Sequence, residues 1–194
     1  MRVGHGARES DKDMFARTER LLLRPAWLED APALAEAIAD ETVARNLARA
    51  PWPYRPVDAE EYVGRQIEAE RPDMLIFLRT RGKPRLVGGI GLADAPGGAA
   101  ELGYWITRTC WGLGYATEAA RAAVSIAFDG LRLPALVSGH FADNPASGRV
   151  LRKLGFRPSG TTTRYSAARS GDAPSIDYRL DSGHWAMPPR QIAA

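Results

Sequence analysis

Gly112 and Gly114 stand two apart in the run Trp111-Gly-Leu-Gly-Tyr-Ala-Thr117, where an apolar strand pattern gives way to an alanine-rich helical one. Glycines so placed allow a turn that other residues resist, and they let the backbone come close to a ligand. The N–H groups from about Gly112 to Thr117 can then converge on an anion at the positive end of the following helix, which is the chemistry of phosphate binding. Further on, Asn144-Pro-Ala-Ser147 opens a second helix that closes with Lys153-Leu-Gly-Phe156. Asn144 suits an N-cap and Pro145 a first helical position. The Ser147 hydroxyl can bond locally at the helix start or donate into an adjoining site. Glu101, at the start of the strand leading to the glycines, is a proton acceptor or a solvated strand-end carboxylate. His140 titrates in the useful range but lies on an apolar strand, where a hydrogen-bonded core histidine is the commoner case. Arg149 and Lys153 are cations that either reach phosphates or sit on the surface.

These groups need elements to hold them. Residues 1–16 are polar without a sustained period and read as a flexible leader, and 187–194 read as a loose tail. Leu21 to Arg24 reads as a strand. Asp30 is expected to cap a helix with Leu34, Ala37 and Ile38 on one face, and Asp58 with Glu61 to open another carrying Tyr62, Val63 and Ile67. Met74 to Arg79 and Leu86 to Leu92 form a hairpin around Arg81-Gly-Lys-Pro84, and Pro96-Gly-Gly98 turns the chain into a strand over Ala100 to Ile106. A helix from Thr117 to Phe128, a strand from Ala135 to Phe141 and the Asn144 helix follow. A last hairpin pairs Thr161 to Ala167 with Ser175 to Leu180. The resulting order, β-α-α-β-β-β-α-β-α-β-β, predicts a mixed α/β (α+β) domain over 17–186. A dinucleotide-binding turn is disfavoured. Its third small residue would be Thr117, and the repeated strand–helix units of a doubly wound sheet are missing.

The whole pattern from Thr18 to about Trp185 resembles the GNAT N-acetyltransferases, and Thr18-Glu-Arg-Leu-Leu-Leu-Arg-Pro25 resembles the branch containing the ribosomal-protein N-terminal acetyltransferases. The resemblance implies a mostly antiparallel central sheet flanked by helices. It implies acetyl-CoA as co-substrate, no metal, and transfer of the acetyl group to a primary amine. The acceptor would be an α-amine of a peptide N-terminus or a small cationic amine, with amino acids, polyamines and aminoglycosides as alternatives. The family turn, usually opened by Arg or Gln, is here opened by Trp111, a departure common in the ribosomal-protein-like branch. Carried over residue by residue, Trp111, Gly112, Leu113, Gly114, Tyr115, Ala116 and Thr117 surround the cofactor phosphates. The main chain of Tyr104, Trp105 and Ile106 runs beside the pantetheine arm, and Asn144 contacts that arm. Many GNATs place a thiolate-protonating tyrosine where this chain has Leu151. The ribosomal-protein-like branch instead uses the serine of Asn-x-x-Ser, which makes Ser147 the expected thiolate donor. Where that branch can carry a glutamate base, this chain has Arg164-Tyr-Ser-Ala167, leaving Glu101 and His140 as the base candidates and Tyr165 to orient the acceptor. A non-catalytic acyl-CoA-binding module is the reading of a different class.

Composition is compatible with all of this. The 194 residues, 45% hydrophobic, suffice for one domain with a substantial core. Cys110 is the single cysteine, and no stretch has the roughly 18 continuous apolar residues of a membrane span. A reducing, cytoplasmic setting is therefore expected, without nucleic-acid or membrane partners, for a monomer or homodimer. Net charge is +3. Glu29, Asp30, Glu36, Asp40, Glu41, Asp58, Glu60 and Glu61 face only Arg45, Arg49 and Arg55 in their stretch. An acidic acceptor wall and a basic remainder suited to a polyanionic cofactor are thus expected.

Overall fold

A computed structural model describes residues 15–68 and 71–185. Apart from Phe15 and Ala16, the expected leader and tail lie outside the described residues. The elements are β1 (Ala16–Arg17), β2 (Leu21–Arg24), α1 (Ala31–Ile38), α2 (Glu41–Ala44), α3 (Pro56–Glu68), β3 (Asp73–Leu78), β4 (Arg85–Asp94), β5 (Ala100–Ile106), α4 (Tyr115–Ser125), β6 (Ala135–Phe141), α5 (Pro145–Lys153), β7 (Arg157–Ser166) and β8 (Gly171–Asp181). The order matches the expected one, with a two-residue β1 and a four-residue α2 added. One sheet runs β1-β2-β3-β4-β5-β6-β8-β7. Every pairing is antiparallel except that of β5 with β6.

Apolar side chains leave the sheet on both faces. One core gathers Leu21, Ile76, Ile90 and Leu102 under Ala120, Val124 and Leu151 of α4 and α5. The other gathers Leu75, Phe77 and Trp105 under Leu34 and Ile38 of α1 and Val63 of α3. The sheet is therefore sandwiched between the two helical pairs. Gly148 lets α5 approach the sheet, because a Cβ there would sit 2.5 Å from His140 Nε2 and 3.0 Å from the Tyr178 hydroxyl.

The parallel pair holds only over Ala100 with Leu136 and Glu101 with Val137. One step further, Ser138 Oγ donates to the Leu102 carbonyl at 2.8 Å, a side chain substituting for the ladder. Beyond that point β5 and β6 separate and the sheet opens into a wedge.

Several boundaries differ from expectation. Asp30 stands at the N-cap position of α1, but its side chain makes no cap bond there. Its carboxylate forms a buried bidentate pair with Arg24 at 2.7 and 2.8 Å and accepts from the Trp27 N–H. Asp58 is the third residue of α3 and reaches back to the Arg55 N–H at 2.7 Å, so that helix starts at Pro56. In α4, the glycine turn itself supplies the cap, so the helix begins at Tyr115, and from Ile126 to Gly130 it loosens into a π turn. β7 begins at Arg157 rather than Thr161, because Arg157 and Pro158 already pair with Arg179 and Tyr178 of β8; these exposed residues carry no apolar alternation to announce it. Ser170, at φ 51°, tightens the last turn so that β8 takes in 171–174.

Candidate active site

The wedge between β5 and β6 is the mouth of a cleft of about 420 Å³, floored by β5 and β6 and walled by the starts of α4 and α5. Gly112 (φ 78°) and Gly114 (φ 83°) both take left-handed conformations that disfavour side chains. No atom lies within 4 Å of where a Gly112 Cβ would be, so backbone conformation and not crowding requires glycine there. Gly114 is the N-cap of α4, with no side-chain cap, and the first intrahelical bond runs from Glu118 N to Gly114 O. The N–H groups of Tyr115, Ala116 and Thr117 accordingly have no helical acceptor, which leaves a ready anion cradle. Gly112, Gly114, Tyr115, Ala116 and Thr117 line the cleft, as do Arg149 and Lys153. Leu113 does not. Its side chain is exposed, and its carbonyl accepts from Arg20 Nη1 at 3.0 Å.

A clamp absent from the sequence reading holds this turn. Glu118 accepts from Thr18 Oγ1 at 2.5 Å, from the Arg20 N–H at 2.9 Å and from Arg20 Nε at 2.7 Å, while the Arg20 guanidinium lies 4.7 Å from the Tyr115 ring centre. Burial acts to raise the Glu118 carboxyl, but these donors outweigh it and hold it below the ordinary carboxylate range. The signal was the pair of runs Thr18-Glu-Arg20 and Ala-Thr-Glu118, a hundred residues apart, whose partnership only the fold reveals.

On β5 the backbone groups alternate in direction. Thr107 N bonds Val87 O, and Trp105 stands opposite Gly89, so the Trp105 N–H and carbonyl turn toward β4. Its indole is buried in the core beneath α1 and α3. Strand alternation thus points the Trp105 backbone groups away from the wedge, although Trp105 is among the residues lining both clefts. Tyr104 turns its main chain the other way, toward the wedge. Ile106 also does, but its carbonyl accepts from Trp111 Nε1 at 2.6 Å, which gives Trp111 a bracing role at the strand end.

Asn144 caps α5, its Oδ1 accepting from Ser147 N at 3.4 Å, and it also lines the cleft. The Ser147 hydroxyl meets the Tyr104 hydroxyl at 2.8 Å, across from β5. Burial pushes the Tyr104 phenol up to about 12, against a smaller lowering by its bond to Ser147. His140 is a core residue, with Nδ1 2.8 Å from the Phe141 carbonyl and Nε2 without a hydrogen-bond partner among the described residues.

A second cleft, of about 1050 Å³, lies on the α1 and α3 side of β5. Glu101, Gly103, Tyr104 and Arg164 line both clefts, so the two meet at β5. Glu101 there is ion-paired with Arg164 at 2.5 Å, and Arg164 also holds Asp177 at 2.9 Å. Glu101, one of the two base candidates, is therefore engaged by the arginine that stands near the missing glutamate. Tyr165 lines the second cleft only, largely exposed. Of the acidic stretch, only Asp58 and Glu61 line this cleft, and each has an arginine partner, Arg55 and Arg65. Asp94, also in its wall, pairs with Arg71. The expected acidic acceptor wall is corrected accordingly: folding disperses those acids and neutralises the ones that reach the cleft.

The model of the GNAT acetyltransferase domain matches residues 20–157, most of this chain. The chain belongs to the GNAT acetyltransferase family. It is 27% identical over 155 residues to the uncharacterized N-acetyltransferase p20 of Bacillus licheniformis, spanning 78% of this chain and 87% of that protein. Among solved structures it resembles a GNAT-family acetyltransferase from Bacillus anthracis (TM-score 0.77, 24% identity, 88% of this chain and 99% of the other). It also resembles the ribosomal-protein-S5-alanine acetyltransferase of Vibrio fischeri (TM-score 0.73, 16% identity, 90% and 100%). In this GNAT enzyme no described helix is long and apolar enough to cross a membrane.

Proposed function

We infer that this GNAT enzyme uses acetyl-CoA to acetylate a primary α-amine, with a peptide N-terminus as the favoured acceptor. The observation that carries the reading is the meeting of two clefts at the unpaired edge of β5, one ending in an anion cradle and the other open to solvent. The residues suit the cofactor. Uncapped amides of Tyr115, Ala116 and Thr117 would hold the pyrophosphate, Arg149 and Lys153 would offer positive charge, and the Tyr104 edge would pair with an amide-rich arm as it would with a peptide. Bound acetyl-CoA supplies an activated acetyl group. The amine nitrogen forms a bond to the acetyl carbon, the carbon–sulfur bond breaks, and the sulfur leaves with the electron pair. Ser147, at the start of α5, is assigned to donate a hydrogen bond to that sulfur. Much of the rate then comes from alignment.

The acceptor class follows from the base inventory. Glu101 is tied to Arg164, and His140 is buried beneath α5, so neither is a free strong base at the junction. An α-amine, with pKa near 7.7 to 8, is roughly one-tenth neutral at pH 7, whereas a lysine near 10.4 is neutral less than about once in a thousand. The α-amine supplies its own nucleophile. The Vibrio fischeri neighbour's activity on an alanine supports the same class. The deciding experiment is thiol release from acetyl-CoA across alanine-initiated peptides, the same peptides blocked at the N-terminus but carrying lysine, amino acids, polyamines and aminoglycosides. Turnover should favour free N-termini. Preference for the blocked lysine peptide overturns the α-amine assignment, and absence of turnover with every amine overturns catalysis itself.

A further inference from the structure

The Ser147 hydroxyl has one hydrogen-bonding side-chain partner among the described residues, and it is not on its own helix. Tyr104, on β5, brings its hydroxyl 2.8 Å from Ser147 Oγ and 3.1 Å from the Ser147 carbonyl oxygen. A carbonyl only accepts, so two arrangements exist. In one, Tyr104 donates to the carbonyl and Ser147 donates to Tyr104, which uses up the serine proton. In the other, Tyr104 donates to Ser147 Oγ, and the serine proton is left to point into the cleft. A sulfur that gains negative charge favours the second arrangement, because a hydrogen bond to a charged acceptor is about twice as strong as a neutral one.

We propose that Tyr104 is the positioning residue of the reaction, turning the Ser147 hydroxyl toward the departing sulfur by donating its own hydrogen bond to Ser147 Oγ. This rests on the assignment of Ser147 as the donor to sulfur. Tyr104 does not itself give up a proton. Burial holds its phenol at about 12, far above a thiol near 8.5, so the phenol stays protonated while the sulfur leaves. The proton shed by the acylated nitrogen reaches the sulfur through solvent, and both hydroxyls end as they began. A phenol that stays protonated is a constant donor across the whole neutral range. Donation to Ser147 Oγ also polarises the serine O–H and strengthens the second bond in the chain.

The test combines Tyr104→Phe, Ser147→Ala and the double variant, assayed with acetyl-CoA and an alanine-initiated peptide, and compares their affinities for CoA alone as pH rises. Tyr104→Phe should lower kcat about two- to tenfold, the worth of one neutral hydrogen bond, with KM for acetyl-CoA unchanged. On the Ser147→Ala background it should cost nothing further, because a residue acting through another has no effect once that other is gone. Wild-type protein should bind CoA more tightly as the thiol ionises, and this gain should shrink in each variant. The CoA measurement is independent of the acceptor. Wild-type kcat and wild-type pH dependence in Tyr104→Phe, with Ser147→Ala impaired, overturn the role of Tyr104 and leave Ser147 standing. Additive losses in the double variant overturn it equally. Ser147→Ala with wild-type turnover and wild-type CoA binding removes the Ser147 assignment and this proposal with it. Should Tyr104→Phe fail to fold, Tyr104→3-fluorotyrosine keeps the hydroxyl and makes it a stronger donor. Its CoA affinity should then begin to rise at lower pH, and an unshifted profile overturns the proposal.

Discussion

Gly114 and Tyr104 show how much a single position can be asked to do. Gly114 needs its left-handed φ of 83° to end the turn and cap α4, and a Cβ there would also come within 3.4 Å of Arg20 Nη2, which braces the turn. Gly114→Val should abolish CoA-induced thermal stabilisation while leaving a cooperative melt, as read by calorimetry with and without CoA. A folded variant with undiminished CoA affinity would remove the cradle from the cofactor site. Tyr104 has a consequence at the alkaline end. Its folded value of about 12 stands above an ordinary tyrosine near 10, so between those pH values the unfolded chain ionises while the folded chain keeps its proton. Stability is thus intact below about pH 10 and falls as pH rises toward 12, by at most about 1.4 kcal/mol per pH unit from this group, less as solvent reaches the ring. Burial pushes Tyr54 in the same direction. Tyr104→Phe should flatten the alkaline decline in a series of denaturant melts, and an equally steep decline would assign it elsewhere. The sequence named Gly112, Gly114, Asn144 and Ser147 because turn and cap chemistry is local. It did not pair Tyr104 with Ser147, since which way a strand side chain crosses to a helix depends on where the sheet splits.

The elements are held in place by polar clamps that local patterns do not announce. Asp30 looked like an N-cap because it precedes a helix. Instead its carboxylate is spent on Arg24, whose guanidinium lies 3.7 Å from the Trp27 ring centre and 4.2 Å from that of Phe77, fixing β2 to the entry of α1. Asp30→Ala leaves that arginine buried without its partner and should cost about 3–5 kcal/mol, measured by urea denaturation. A loss below about 1 kcal/mol would mean that water replaces the carboxylate. At the other end of β2, Glu118 joins α4 to Thr18 and Arg20. Its carboxyl is held low in the folded state, so the clamp's stabilisation is complete above the ordinary glutamate value near 4.3 and is lost as pH falls through the lower folded value. Glu118→Gln should flatten the acid limb of the stability curve and weaken CoA binding at neutral pH. If CoA binding is unaltered, the clamp shapes the fold but not the cradle. Helices and strands with apolar periods were legible from sequence, whereas β7, polar on both faces, was legible only in its second half.

At the scale of the whole molecule, the sheet's split joins two clefts that the sequence could only treat separately. Charge counted along the chain predicted an acidic acceptor wall, but folding sends Asp30 into the core and pairs Asp58, Glu61 and Asp94 with arginines. Sequence proximity is a poor guide to shared surface when a segment folds into three helices with several faces. The acceptor should therefore be chosen by fit at the junction more than by long-range attraction, and raising salt should change its KM little. Gly103 is the place to test that. It lines both clefts, its φ is not in the left-handed range, and no atom lies within 4 Å of where its Cβ would be. A side chain there meets neither backbone strain nor a clash, and it projects into the space through which the amine must reach the acetyl group. Gly103→Leu should fold with a near-normal melting temperature and bind CoA as before, because Gly103 lies mid-strand and the anion cradle lies beyond the C-terminal end of β5. Turnover of an alanine-initiated peptide should fall by at least about tenfold, the kinetic equivalent of 1.4 kcal/mol of lost alignment. Calorimetric CoA binding and thiol release on the same preparation check both halves. Retained turnover would mean that the amine reaches the thioester by a route that does not cross Gly103.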